Sequence, residues 1–272
     1  MSAPGRGRPN ERPNRNRPGG PRDGRTERRT ASQAPPLDVR LLDNHLLVVV
    51  KPAGLLSQAD RTGDPDVLTL GKALVKAHFG KPGDVFLGLV HRLDRPVSGL
   101  MVLARTSKAA ARLSAQFRER TLAKTYVAVV EGAPGTGGTM EDFLLKADEA
   151  VRVVPAGTPG AKAARLSWQA LAHAAGRTLV AVQLETGRAH QIRVQFATRG
   201  HPLAGDRRYG AARPWLLGGV PGGIALHSAA LTFAHPTRPE TVEVRAAPDW
   251  PAPFGPAAAA WLATLPPADL RP

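Results

Sequence analysis

The chain has 272 residues, no cysteine, 42% apolar residues and a formal net charge of +15. The missing cysteines exclude a disulfide framework, thiolate metal sites and a cysteine nucleophile, and the charge favours a polyanionic partner, nucleic acid ahead of an acidic membrane surface. No run approaches the roughly 18 apolar residues of a membrane-spanning helix, and the N-terminus lacks the apolar stretch of a secretory signal, so a soluble, cytoplasmic, monomeric protein without membrane contact is expected.

Residues 1–36 carry nine arginines, seven prolines and five glycines against three acids. Too little there can be buried, which predicts a disordered basic tail. It reads as an arm for RNA phosphates or as a solubilising tail. Leu46–Val50 is a β-branched strand, closed by the turn Lys51-Pro52-Ala53-Gly54-Leu55, since proline cannot continue a central strand. Asp64-Pro65 predicts a helix cap with proline at the first helical position, and Val67, Leu70 and Leu74 then form one apolar face. Val85–Val90 predicts a short strand delivering the polar turn His91–Ser98. In that turn Asp94 stands between Arg92 and Arg95, and Leu100–Ala104 behind it reads as buried strand.

Thr106 or Ser107 caps a helix running to about Thr121. Ala110, Leu113 and Phe117 point inward, and Lys108, Arg112, Arg118 and Arg120 occupy other faces, as a solvated surface or as phosphate contacts. Lys124–Val130 alternates like a strand and contains Tyr126, one of only two tyrosines. Gly135–Gly138 reads as a hairpin loop, and Ala163–Ala172 with Arg177–Glu185 as paired strands. A helix is expected from about His190, with Ile192 and Phe196 inside and Gly200 and Pro202 ending it. Ile224–Phe233 contains His227 and ends in a strand. A proline- and alanine-rich C-terminal stretch predicts a short helix at Ala257–Leu265.

From residue types alone Asp94 is a structural acid, a general base or a nucleophile. His190, His201, His227 and His235 lack the spacing of a zinc-binding helix, so no metal is expected. No Gly-x-x-x-x-Gly-Lys-Ser/Thr stretch supports a nucleotide-triphosphatase, and Ser98 lacks the glycine two positions earlier that a nucleophile elbow requires. No second acid lies near the key motifs to activate water, which argues against a nucleoside hydrolase. A non-catalytic RNA-binding protein is the other reading to weigh.

Taken together, His91-Arg92-Leu93-Asp94 followed by Ser98-Gly99-Leu100 resembles the signature of the RluA family of pseudouridine synthases. Lys51-Pro52-Ala53-Gly54-Leu55, Lys124-Thr125-Tyr126, Gly187-Arg188-Ala189-His190-Gln191-Ile192-Arg193, Gly200-His201-Pro202-Leu203, Gly205-Asp206, Tyr209-Gly210 and His227 with His235-Pro236 resemble its further segments, in family order from about Leu41 to Val244. Val97 stands where the family usually has threonine, and Gln195 where it often has histidine. The resemblance implies a mixed α+β fold with a mostly antiparallel central sheet, flanking helices and a central active-site cleft. It implies isomerisation of uridine in ribosomal or transfer RNA without metal or organic cofactor. It makes Asp94 the catalytic carboxylate, Tyr126 the residue lining the base and Arg188 the ion-pair partner of Asp94. Arg92, His91, Lys51 and Arg193 become RNA-binding residues, with Arg92 placed to fill the stack a flipped base vacates. Residues 37–250 are then the catalytic domain, between the tail 1–36 and the C-terminal segment 251–272. No N-terminal S4 module is expected, because structure starts near Leu37.

Overall fold

The computed structural model describes residues 1–2, 36–147, 150–217 and 219–267. The expected disordered tail falls almost wholly outside the described residues. The first strands are β1 (Asp38–Leu42) and β2 (Leu46–Lys51), followed by helix α1 (Val67–His78). The cap of α1 is Asp66, whose side chain accepts the Thr69 N–H, and not the expected Asp64. Pro65 therefore precedes the cap rather than following it. Val67, Gly71 and Val75 form the buried face of α1. Gly71 is required there, because a Cβ would lie 2.8 Å from a Leu87 methyl.

The short β3 (Gly88–Leu89) and β4 (Ser98–Ala104) bracket the Asp94 turn. Helix α2 (Ser107–Glu119) is capped by Thr106 as expected, with the Thr106 hydroxyl accepting the Ala109 N–H. Next come β5 (Ala123–Glu131), β6 (Gly137–Ala147), β7 (Ala150–Val154), β8 (Lys162–Ala174) and β9 (Arg177–Leu184). Gly137 and Gly138 open β6 instead of lying in a loop. A Cβ at Gly137 would meet the Trp168 carbonyl at 2.8 Å, so glycine lets β6 close on β8. Helix α3 (Gln191–Thr198) and a single 3-10 turn at Arg207–Tyr209 follow. A small hairpin of β10 (Leu216–Leu217) and β11 (Val220–Pro221) precedes β12 (Leu226–Ala234), β13 (Thr241–Arg245) and helix α4 (Phe254–Thr264).

The described residues build an eleven-stranded sheet in the order β1-β2-β4-β12-β5-β9-β8-β6-β7, with β13 on β12 and β3 on β4. All its strand pairs are antiparallel except β4 with β12. That parallel contact is short, His227 and Ser228 against Ser98 and Gly99. A bulge in β12 between Ser228 and Ala230 then shifts its register on β5. Three large apolar clusters cover the sheet. One lies beneath α1 and the site, with Val67, Tyr126, Ile192 and Phe196; a second beneath α2, with Leu113 and Phe233; a third beneath α4, with Trp215, Trp250 and Leu262.

Candidate active site

Asp94 sits in a turn whose backbone is gripped on both sides. Ser57, only 6% exposed, donates its hydroxyl to the Leu93 carbonyl at 2.7 Å and accepts the Leu93 N–H at 3.1 Å. On the other side the Gly54 N–H donates to the Arg95 carbonyl at 2.8 Å, and Lys51 Nζ donates to the same oxygen at 3.1 Å. The turn closes on itself through the Val97 N–H and the Asp94 carbonyl. Lys51 is fully buried and also donates to the carbonyls of Pro52 and Leu55. Burial pulls its ammonium down to about 7. The expected RNA contact at Lys51 is thus corrected: its donors are spent on the loop, and no surface is left to meet RNA.

His91 is half-buried at the edge of a neighbouring groove and is held from within. Its Nε2 accepts the Val102 N–H at 2.9 Å, and its ring stacks on Phe117 at 4.6 Å. Burial depresses it to about 3, so it is neutral at physiological pH. His227 fixes the start of β4 through Ser98 Oγ at 2.8 Å from Nδ1, while Nε2 donates to the Ala246 carbonyl at 3.1 Å.

The carboxylate of Asp94 meets Arg193 and not Arg188. Arg193 Nη1 donates to Asp94 Oδ2 at 2.7 Å, and the same guanidinium grips Asp206 through Nε and Nη2 at 2.7 and 2.9 Å. Arg193 is 5% exposed and Asp206 1%, a bidentate pair of the kind that fixes a planar cation. Arg188 instead donates from Nε to the Ala163 carbonyl at 3.0 Å. The reason is local. Gln191 accepts from the Arg188 N–H and the Thr186 hydroxyl and donates to the Arg165 carbonyl. This folds residues 186–191 tightly, and α3 then turns Arg193 inward. Arg193, expected among the RNA-binding residues, lies in the wall of the Asp94 cavity.

Two further groups complete the site. His190, in the left-handed region at φ 52°, caps α3 and places Nε2 3.5 Å from Asp94 Oδ2. Its Nδ1 lies 2.7 Å from the Tyr209 hydroxyl, which accepts the Val151 N–H at 3.0 Å. A complete network turns the hydroxyl proton to Nδ1 and leaves the ring proton on Nε2, the tautomer that presents a donor to Asp94. Burial holds His190 below its ordinary pKa. Tyr209 also lies under the Arg193 guanidinium, 5.1 Å from ring centre to carbon. Residue-type reasoning gave Ser57, His190, Asp206 and Tyr209 no role, although the last three lie in the quoted motifs.

Asp94 and Tyr126 both line a cavity of about 600 Å³, together with Arg92, Leu184, Arg188, His190, Arg193 and Arg208. The size suits one nucleoside-sized guest. Tyr126 is buried, and desolvation raises its hydroxyl to about 12, so the phenol is protonated at neutral pH. Arg92 stands exposed on the rim.

A family model described as RNA pseudouridylate synthase matches residues 45–198, the span that carries Asp94, Tyr126 and Arg193. Ribosomal large subunit pseudouridine synthase D of Xylella fastidiosa is 35% identical over 77% of this chain and 65% of its own length. The protein of the same name from Yersinia pestis is 35% identical over 80% of this chain and 69% of its own. The chain thus spans about two thirds of the length of these relatives. In structure it is similar to human RNA Pseudouridylate Synthase Domain Containing 4, with a TM-score of 0.65 and 24% identity over 83% of this chain and 93% of that one. The chain belongs to the RNA pseudouridylate synthase family, and its α+β fold is the one the sequence motifs imply.

Proposed function

We propose that this protein isomerises uridine to pseudouridine in the RNA of the large ribosomal subunit, with Asp94 as the catalytic carboxylate. The observation that carries the reading is one carboxylate, 32% exposed and paired to Arg193, opening into a nucleoside-sized cavity shared with Tyr126. The ribosomal target rests on the names of the relatives.

In the reaction the bond from C1′ to N1 breaks, one from C1′ to C5 forms, C5 loses a proton and N1 gains one. Asp94 acts as nucleophile or as a charge that eases departure of uracil. Arg193 pairs with it and aims it, and His190 Nε2 faces the same oxygen. Tyr126 supplies a flat wall for the base and a hydroxyl that stays protonated. The target base must leave its stack to reach Asp94, and Arg92 on the rim has the planar cation to take its place.

The test is incubation of the purified protein with unmodified ribosomal RNA transcribed in vitro, followed by nucleoside analysis. Pseudouridine should appear with the wild type and vanish in Asp94→Asn, with the circular dichroism spectrum unchanged. Free uracil would identify a hydrolase, and RNA binding without any product would identify a binding protein; either outcome overturns the proposal.

A further inference from the structure

A second groove of about 750 Å³ adjoins the Asp94 cavity and shares Arg92, Tyr126, Leu184, Gly187 and Arg188 with it. Its outer wall adds Arg118, Arg120 and Lys124 from the end of α2 and the start of β5. Five cations therefore face one groove. The single acid on its lining, Glu185, is already engaged by Arg165 at 3.1 Å. Among the described residues Arg92, Arg120 and Lys124 have no carboxylate within ion-pairing distance.

Two details are hard to explain by solvation alone. Arg120 adopts the left-handed conformation, φ 60°, at the position closing α2. Glycine ordinarily occupies that place because a Cβ is strained there. Lys124 is half-buried in the groove beside the Phe117 ring, 5.7 Å from its centre. Desolvation, with Arg120 nearby, holds its ammonium below the ordinary lysine range. Gly187 leaves space for that ammonium, since a Cβ would lie 2.9 Å from Lys124 Nζ. The fold thus keeps an arginine at a position glycine would fill beside a partly desolvated lysine, whose lost solvation an anion would offset.

We propose that this groove is a phosphodiester-binding track for the single-stranded nucleotides flanking the target uridine, with Arg120 and Lys124 holding phosphates. The inference rests on the reading of the Asp94 cavity as the uridine site. A strand leaving that cavity past Arg92 and Arg188 enters the groove directly.

The test compares the full chain with Arg120→Gly and Lys124→Met. A short fluorescein-labelled oligouridylate is titrated across a range of salt concentrations, and turnover is measured on unmodified ribosomal RNA. Arg120→Gly should melt no lower than the wild type, because glycine suits its backbone, yet bind RNA several-fold more weakly. Each variant should lose about 0.7 from the slope of log affinity against log salt, the signature of one lost contact to single-stranded phosphate. KM should rise several-fold with kcat little changed, an effect that a merely structural role would not produce in a variant that keeps its melting temperature. Unchanged slopes and KM in both variants would overturn the track. A wild type that makes no pseudouridine, with slopes that still fall, would sink the enzymatic reading and leave the phosphate contacts standing.

Discussion

One oxygen on Tyr209 decides which nitrogen of His190 carries a proton. Tyr209→Phe keeps the ring beneath Arg193 and removes only that oxygen. The neutral imidazole then loses the hydrogen bond to Nδ1, so His190 takes up a proton at higher pH. Asp94, Asp206, Arg193 and Arg208 are the charged groups around it, and the new imidazolium competes with Arg193 for Asp94. The acid limb of the kcat profile should move to higher pH, and kcat at neutral pH should fall about tenfold, the equivalent of about 1.4 kcal/mol. An unmoved limb would leave Tyr209 a packing residue. Asp94 and Tyr126 were legible in the sequence because short motifs mark them. The partner of Asp94 was not. Arg188 and Arg193 lie five residues apart in one motif, and only the left-handed turn at His190 decides which faces inward. A hint was present, since Arg193 adjoins Ile192 and lies three before Phe196, both on the buried side of α3. Ser57 carried no hint, being one serine in an irregular stretch.

At the level of elements, the site depends on β4 approaching β12 closely. Gly99 makes this possible at φ 118°, where a Cβ would lie 2.3 Å from the Ser228 amide nitrogen. Gly99→Ala combines backbone strain with a clash against backbone that cannot turn aside, and should destabilise the protein by more than about 3 kcal/mol; urea denaturation measures this. Ser57→Ala is milder. It leaves two backbone groups of Leu93 without their partner, worth about 1–3 kcal/mol, and should lower kcat more than it raises KM, because it loosens the turn carrying Asp94. Helices α1, α2 and α3 were readable from apolar spacing, α2 also from its cap and α3 from its stop. The strands β7 and β13 were not, since five residues of mixed exposure carry little periodicity. β6 was missed as well, its opening glycines being read as a loop although they serve close strand packing.

For the whole molecule, acid should be more damaging than the carboxylates alone would make it. His91 and His227 stay neutral in the fold down to about 3 and about 4, whereas an unfolded chain protonates them near 6.5. Their contribution is complete above pH 6.5 and is lost as pH falls toward those folded values. The urea midpoint should therefore begin to drop below pH 6.5, with a gentler slope in His227→Gln. Removing residues 1–36, with their nine arginines, should weaken RNA binding and flatten its dependence on salt while leaving kcat unchanged. An unaltered salt slope would make the tail incidental to binding.

Arg193 is held by two carboxylates at once, only one of which faces the cavity. Where Asp94 acts as the nucleophile, it gives up its negative charge for as long as it is bonded to substrate. A guanidinium this deeply enclosed would then be left without a counter-ion, at a cost of several kcal/mol. Asp206 prevents that, because it never takes part in bond-making and keeps the cation neutralised throughout. The enzyme can thus spend one anion without the interior ever becoming electrostatically unbalanced.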